Sequence, residues 1–105
     1  MSRLIRKLPG ARRDLVEIAD YLAQDSLALS DRFLDASEKT FEYLASMPEI
    51  GSRWESDNPT LAGLLVWPVR GFKRHLVFYR SAEASIEIVR VLHAARDIES
   101  IFASE

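Results

Sequence analysis

The segment Leu76-Val77-Phe78-Tyr79 is apolar at four successive positions, and it constrains the fold more than any other part of the sequence. Because successive side chains of a β-strand point to opposite faces, such a strand fits best in the middle of a sheet that is covered on both sides. Strand-like runs flank it at residues 61–69, before Arg70-Gly71, and at residues 86–92, after a turn at 81–85. The sequence therefore predicts a three-stranded antiparallel meander with residues 72–80 at its centre.

The first half of the sequence has helical periodicity instead. Apolar side chains recur at three- and four-residue steps over residues 11–24, and at three- to five-residue steps in a second helix that extends to about Met47. Ser26 is a candidate N-cap of the second helix, and Pro48 stops it. Carboxylates off the apolar faces are expected to face water; they are Asp14, Glu17, Asp20, Asp31, Asp35, Glu38 and Glu42.

The remaining segments complete one small domain over residues 1–105. Leu4 to Leu8 indicate a short strand that ends at Pro9-Gly10, residues 52–60 indicate a loop, and residues 97–103 can form one or two helical turns. The predicted order is β-α-α-β-β-β with a short C-terminal tail, an α+β architecture in which a helical hairpin packs on a small, mainly antiparallel sheet. The pattern leaves open whether the first strand pairs parallel or antiparallel.

Composition excludes several classes of protein. There is no cysteine, and the sequence has neither a secretion signal nor an apolar run of membrane-spanning length, so we expect a cytoplasmic protein without a membrane partner. The net charge of −2 hides an asymmetry, since residues 14–50 hold nine acidic groups against two basic ones and residues 51–80 hold five basic against two acidic. This asymmetry fits either charged partners or an ordinary solvated surface.

Two polar clusters could carry chemistry. Arg90, His93, Arg96 and Asp97 follow the last predicted strand, where His93 could act as a general acid–base and the arginines could hold phosphate, or where the cluster could cap and pin the C-terminal tail. The second cluster lies on the central strand, with Lys73, His75, Val77 and Tyr79 expected on one face and Phe72, Arg74, Leu76, Phe78 and Arg80 on the other. It could bind a nucleic-acid backbone or form a solvated sheet edge.

Metal and cofactor chemistry find little support. The carboxylates lie at helical spacings that do not resemble a calcium loop, and two histidines are too few for a zinc site. There is no Gly-rich phosphate loop and no nucleophile elbow. We therefore expect no metal and no cofactor, and we expect Trp54 and Trp67 in the core or in a groove wall.

The order and spacing of several motifs resemble the ParE branch of the RelE/ParE toxin superfamily. The resemblance covers nearly the whole chain. Its motifs are Ala11-Arg12-Arg13-Asp14-Leu15-Val16-Glu17-Ile18 with Tyr21; Phe33 with Phe41, Leu44, Pro48 and Gly51; Pro68-Val69, Gly71-Phe72 and Val77-Phe78-Tyr79-Arg80; and Arg90-Val91-Leu92-His93-Ala94-Ala95-Arg96-Asp97-Ile98. One departure is Leu65, because many ParE-like chains carry an arginine after Gly-Leu at this point.

The resemblance implies the toxin of a type II toxin–antitoxin system, such as those that stabilise plasmids, causing growth arrest when its antitoxin is lost. ParE toxins inhibit DNA gyrase, whereas RelE toxins cleave mRNA. The partner implied is a ParD-like antitoxin with a DNA-binding dimer domain, so no direct DNA binding is expected of the toxin alone. We expect a gyrase inhibitor rather than an enzyme, because no late tyrosine follows Tyr79 and the catalytic set is incomplete.

The alternative is a RelE-like mRNA endoribonuclease. Its candidate catalytic residues are Arg74, Arg80, Arg90, His93 and Arg96. For antitoxin binding, a helical hairpin on one side of a small sheet leaves apolar surface for an amphipathic helix or an added strand, and a basic strand attracts an acidic tail. The candidate antitoxin-binding residues are Leu15, Ile18, Tyr21, Leu22, Phe33, Leu34, Arg74 and Arg80.

Overall fold

The structure, a computed structural model, describes residues 2–104 and confirms the predicted α+β order. Its elements are β1 (Leu4–Lys7), α1 (Pro9–Ala23), α2 (Leu27–Ser46), β2 (Ser52–Arg53), β3 (Leu65–Val69), β4 (Phe72–Ser81), β5 (Ser85–His93) and α3 (Ile98–Ala103). They form one sheet in the order β1-β5-β4-β3-β2. The strand β1 pairs parallel with β5 and all other pairs are antiparallel, which settles the direction that the sequence left open.

The central strand β4 is covered on both faces, as its apolar run predicted. On one face, Val77 and Tyr79 pack with Phe33, Phe41 and other residues of the helical hairpin. On the opposite face, Phe78 and Leu76 pack with α3 and with the segment that precedes β3. Each fully buried side chain of this kind contributes about 1.5–3 kcal/mol to stability. The sheet therefore lies between two apolar layers, and the helical hairpin forms only one of them.

Several boundaries differ from the prediction for local reasons. Helix α1 begins at Pro9, two residues before the predicted start, because a proline at the first helical position loses no helical hydrogen bond. The strand predicted over residues 61–69 begins only at Leu65, because Pro59–Leu61 form a 3₁₀ turn and Gly63 has φ +79°. The short strand β2 lies within the predicted loop at 52–60.

The helix caps follow the sequence closely. The Ser26 hydroxyl accepts the Leu29 N–H at 3.1 Å and begins α2, as predicted. The Asp97 carboxylate accepts the Ser100 N–H and hydroxyl at 3.3 and 2.7 Å and begins α3, as the capping interpretation of the tail requires. Within residues 2–104, no helix combines the length and apolar character needed to cross a membrane.

Two positions break the predicted alternation of faces. Phe72 was predicted opposite His75, yet both rings contact Phe33, at centroid distances of 5.2 and 5.1 Å. The pairing of β3 with β4 shifts register between Pro68 and Val69, so the two-residue period does not extend to the start of β4. Asp14 was predicted to face water and is instead buried, with 5% of its surface exposed.

Candidate functional site

The buried Asp14 joins helix α1 to strand β5. Strand β1 ends opposite Ile88, so the edge of β5 beyond that point lacks a neighbouring strand. Asp14 serves this edge by accepting the Val91 N–H at 2.9 Å, and it accepts Arg90 Nε and Nη2 at 2.6 and 2.8 Å. A carboxylate with three donors satisfies both a free strand N–H and a largely buried guanidinium. We call Asp14, Arg90 and Val91 the α1–β5 clamp.

A pair of histidines lies at the end of the β4–β5 ladder. His75 and His93 are register partners, and their rings meet edge to face with centroids 5.1 Å apart. Nδ1 of His93 accepts the Ala95 N–H at 3.0 Å, which fixes the ring at the turn after β5. His75 packs against Phe33, and its pKa is lowered from the ordinary value near 6.5, first by desolvation and then by His93. The structure thus places a second imidazole beside His93, which the sequence did not show.

The five arginine and histidine candidates for ribonuclease chemistry do not meet at one point. Arg74, His93 and Arg96 lie at one end of the β4–β5 ladder, where the Ala94 N–H donates to the Arg74 carbonyl. Arg80 pairs with Glu87 at the other end, six residues along β4 and thus roughly 20 Å away. Its guanidinium donates to the Thr60 carbonyl. The Arg90 side chain belongs to the α1–β5 clamp.

The predicted antitoxin-binding residues are divided between core and surface. Leu15 and Phe33 are buried in the core, and Ile18 and Leu22 are half-buried against it. Tyr21 and Leu34 are 69% and 36% exposed. Leu27 was not among the predicted residues; it is 74% exposed and lies seven residues before Leu34, on the same side of α2. We call Leu27 and Leu34 the hairpin face; Tyr21 lies seven residues after Asp14 and so on the side of α1 that faces β5.

A second surface lies where α2 meets the β3–β4 hairpin. Side chains of both elements line an opening of about 440 Å³; they are Lys39, Thr40, Tyr43, Trp67, Pro68, Val69, Arg70, Gly71 and Lys73. An adjoining depression shares Lys39 and Arg70 and adds Arg32, Asp35 and Phe72. We call this opening the basic cleft. The only sign of this cleft in the sequence was the excess of basic residues between 51 and 80. Trp67 was predicted to lie in the core or in a groove wall, and it lies in the wall of this cleft.

Metal-binding side chains do not cluster in the described structure. Across residues 2–104, no group of three or more histidine, aspartate or glutamate side chains is placed to hold an ion. The two histidines contact each other and aromatic rings instead. The candidate surfaces described above are the histidine pair, the hairpin face and the basic cleft.

The fold, a helical hairpin on a mainly antiparallel sheet with a parallel first strand, belongs to the RelE/ParE-like class. A solved structure described as the chromosomal ParDE TA system from P. aeruginosa superposes with a TM-score of 0.69 at 16% identity, over 88% of this chain and 96% of that chain. The family model for the ParE toxin of the type II toxin-antitoxin system, parDE, matches residues 5–98. The chain therefore belongs to the ParE toxin family of type II toxin–antitoxin systems. None of the curated proteins compared with it matches.

Proposed function

We propose that this toxin inhibits DNA gyrase in the cytoplasm and is neutralised by a ParD-like antitoxin that carries the DNA-binding domain. The dispersal of the basic side chains that a ribonuclease would need supports this proposal. Phosphodiester cleavage requires proton-transfer groups and cations around one scissile phosphate. Here Arg80 lies roughly 20 Å from Arg74 along β4, and the Arg90 guanidinium is bound by Asp14. A toxin that binds its target without cleaving it has no need of such convergence.

A supercoiling assay tests this function directly. Purified toxin is titrated into gyrase, relaxed plasmid and ATP, and we expect supercoiling to be lost as the toxin approaches gyrase in concentration. Addition of the antitoxin encoded beside the toxin gene should restore supercoiling. Unchanged supercoiling at a large molar excess of folded toxin would refute gyrase as the target.

The histidine pair is the one observation that favours a second function, mRNA cleavage. Two imidazoles with centroids 5.1 Å apart could share the roles of general base and general acid. His93→Ala and His75→Ala separate the two functions, since both substitutions remove acid–base groups. If the toxin cleaves RNA, each should abolish growth arrest and erase the new mRNA ends that induction of the toxin produces. If it inhibits gyrase, His93→Ala should stay toxic.

For the antitoxin, we propose docking of an amphipathic helix on the hairpin face. Its two leucine side chains are exposed, and burial of one leucine contributes about 1.5–3 kcal/mol. Leu27→Asp should weaken antitoxin affinity by roughly tenfold or more. Met47→Asp, at a 49% exposed apolar position outside this face, is the matched control. Equal affinities of the two variants would exclude the hairpin face.

Of the two arginines that were predicted to attract an acidic antitoxin tail, only Arg74 is kept in this proposal. The Arg80 guanidinium donates a hydrogen bond to the Thr60 carbonyl. Arg74, in contrast, is exposed and makes no side-chain hydrogen bond or ion pair among the described residues. Arg74 thus remains a proposed contact for an acidic tail. Arg74→Glu should reduce antitoxin affinity more at low salt than at high salt, and an unchanged affinity would exclude this contact.

A further inference from the structure

We propose that the basic cleft binds an acidic peptide segment whose carboxylates flank an apolar side chain. The inference rests on the proposed function, under which the antitoxin supplies this segment as a second contact beyond the hairpin face. Four features of the cleft lead to it: its free cations, its aromatic wall, its blocked strand edge and the carboxylates around it.

The cations of the cleft are unpaired. Lys39, Arg70 and Lys73 line the opening and Arg32 lines the adjoining depression. Within residues 2–104, none of these four side chains makes a hydrogen bond or an ion pair, although Lys7 elsewhere on the surface pairs with Glu38 at 2.8 Å. Three free cations around the opening and a fourth in the adjoining depression, in a chain of net charge −2, create a local positive potential that attracts carboxylates.

The wall of the cleft is aromatic and accessible. The rings of Tyr43 and Trp67 lie 6.2 Å apart with an interplanar angle of 39°, and Tyr43 is 41% exposed. Pro68 and Val69 continue this wall along β3. Exposed aromatic rings that are half covered by their neighbours gain stability when an apolar side chain excludes the remaining water. The cleft therefore suits a ligand with an apolar anchor as well as negative charge.

The strand edge beside the cleft is blocked to main-chain pairing. Strand β2 pairs only with Leu65 and Val66, so β3 continues past it along the cleft. There Pro68 has no N–H, and the Arg70 N–H donates to Thr40 Oγ1 at 3.1 Å. An added strand would find these donors absent or occupied. A peptide in the cleft is therefore recognised through its side chains.

The surroundings favour a short peptide over a nucleic acid. Asp35 lines the adjoining depression, and the exposed Glu42 lies one turn beyond Lys39 on α2. A polyanion with a phosphate at every nucleotide would pass these carboxylates at a Coulombic cost. A short segment can end within the cleft and avoid them.

Trp67 provides a direct readout of binding. A Trp54→Phe background leaves Trp67 as the single tryptophan, and it should fold because the buried Trp54 Nε1 has no hydrogen-bond partner to lose. The probe is the capped peptide Glu-Glu-Leu-Leu-Glu-Glu, and its Gln-for-Glu analogue is the charge control. We expect a saturable change of Trp67 fluorescence with the acidic peptide and at least about tenfold weaker binding of the analogue.

Charge reversals then locate the site. Arg70→Glu should weaken binding of the acidic peptide by roughly tenfold, and this difference should shrink as salt is raised. Arg13→Glu is the matched control: Arg13 is exposed on α1, far from the cleft in sequence, and its side chain makes no hydrogen bond or ion pair among residues 2–104, so this variant should bind the peptide as the background does. Equal losses in both variants, equal binding of the neutral analogue, or no binding would overturn the proposal.

A second ligand and a second assay complete the test. Tighter Arg70-dependent binding of a thymidine oligonucleotide than of the peptide would replace the acidic peptide with a nucleic acid and overturn the proposal. Supercoiling by gyrase is measured with the same variants and no peptide. A negative result there would refute the gyrase target without touching the fluorescence titration, so the two failures are distinguishable.

Discussion

Removal of the Asp14 carboxylate tests whether the α1–β5 clamp holds the helical hairpin on the sheet. Asp14→Ala deletes an acceptor with three donors and leaves the Val91 N–H and the Arg90 guanidinium without it. Breaking a buried ion pair by removing one partner costs about 3–5 kcal/mol. The Arg90 side chain keeps 14% of its exposure, so water compensates part of the loss, and we expect a decrease of about 3 kcal/mol in the free energy of unfolding.

Two further variants separate the contribution of the Asp14 charge to this free energy from the effects of its hydrogen bond and of helix propensity. Asp14→Asn keeps an oxygen for the Val91 N–H and loses the charge, so its cost should be smaller, about 2 kcal/mol. Asp20→Ala removes an exposed carboxylate from the same helix and controls for helix propensity; it should change stability by no more than about 0.5 kcal/mol.

Urea denaturation followed by far-ultraviolet circular dichroism measures these differences. For a domain of this size, a loss of 3 kcal/mol corresponds to a fall in Tm of roughly 10–20 °C, which a thermal scan resolves. The reasoning is refuted if Asp14→Ala lies within about 1 kcal/mol of Asp20→Ala, since the buried carboxylate would then contribute little more than an exposed one.

Three further changes test other parts of the structure. Because the lowered pKa of His75 means that the folded state binds fewer protons than the unfolded one, the free energy of unfolding should decrease as pH falls below about 7, and His75→Gln should flatten this decrease in urea titrations at pH 5 to 8. Tyr79→Phe removes the hydroxyl that accepts the Gly51 N–H at 2.9 Å, and it should cost about 1–3 kcal/mol in the same assay. Gly71→Ala places a side chain at φ +82° and should lower stability by about 1 kcal/mol, whereas an unchanged value would show that the turn relaxes.

The central sheet was predictable because its signal is local. The apolar run around Val77 fixes β4 as the middle strand, and short turns fix its antiparallel neighbours. The pairing of β1 was not predictable, because four residues with alternating exposure carry no information on direction.

The contacts that form the candidate functional surfaces were harder to predict from the sequence. Helical periodicity placed Asp14 off the apolar stripe and so predicted that it faces water, because periodicity cannot show that a strand edge at Val91 needs an acceptor there. The pairing of His75 with His93 depends on a register shift between Phe78 and Tyr79 that no local pattern announces. Lys39 and Arg70 come from different elements and meet only through the packing of the β3–β4 hairpin on α2.

The parallel pairing of β1 with β5 determines how late during synthesis the domain can fold. Leu4 to Lys7 find their partners at Ser85 to Ile88, and Asp14 finds its donors at Arg90 and Val91. A growing chain on the ribosome therefore cannot pair its first strand or form the α1–β5 clamp until those residues have been made. Contacts of such long sequence separation also slow folding. Folding thus lags behind synthesis, and a chain whose translation stops before Ser85 can form neither the β1–β5 pair nor the α1–β5 clamp.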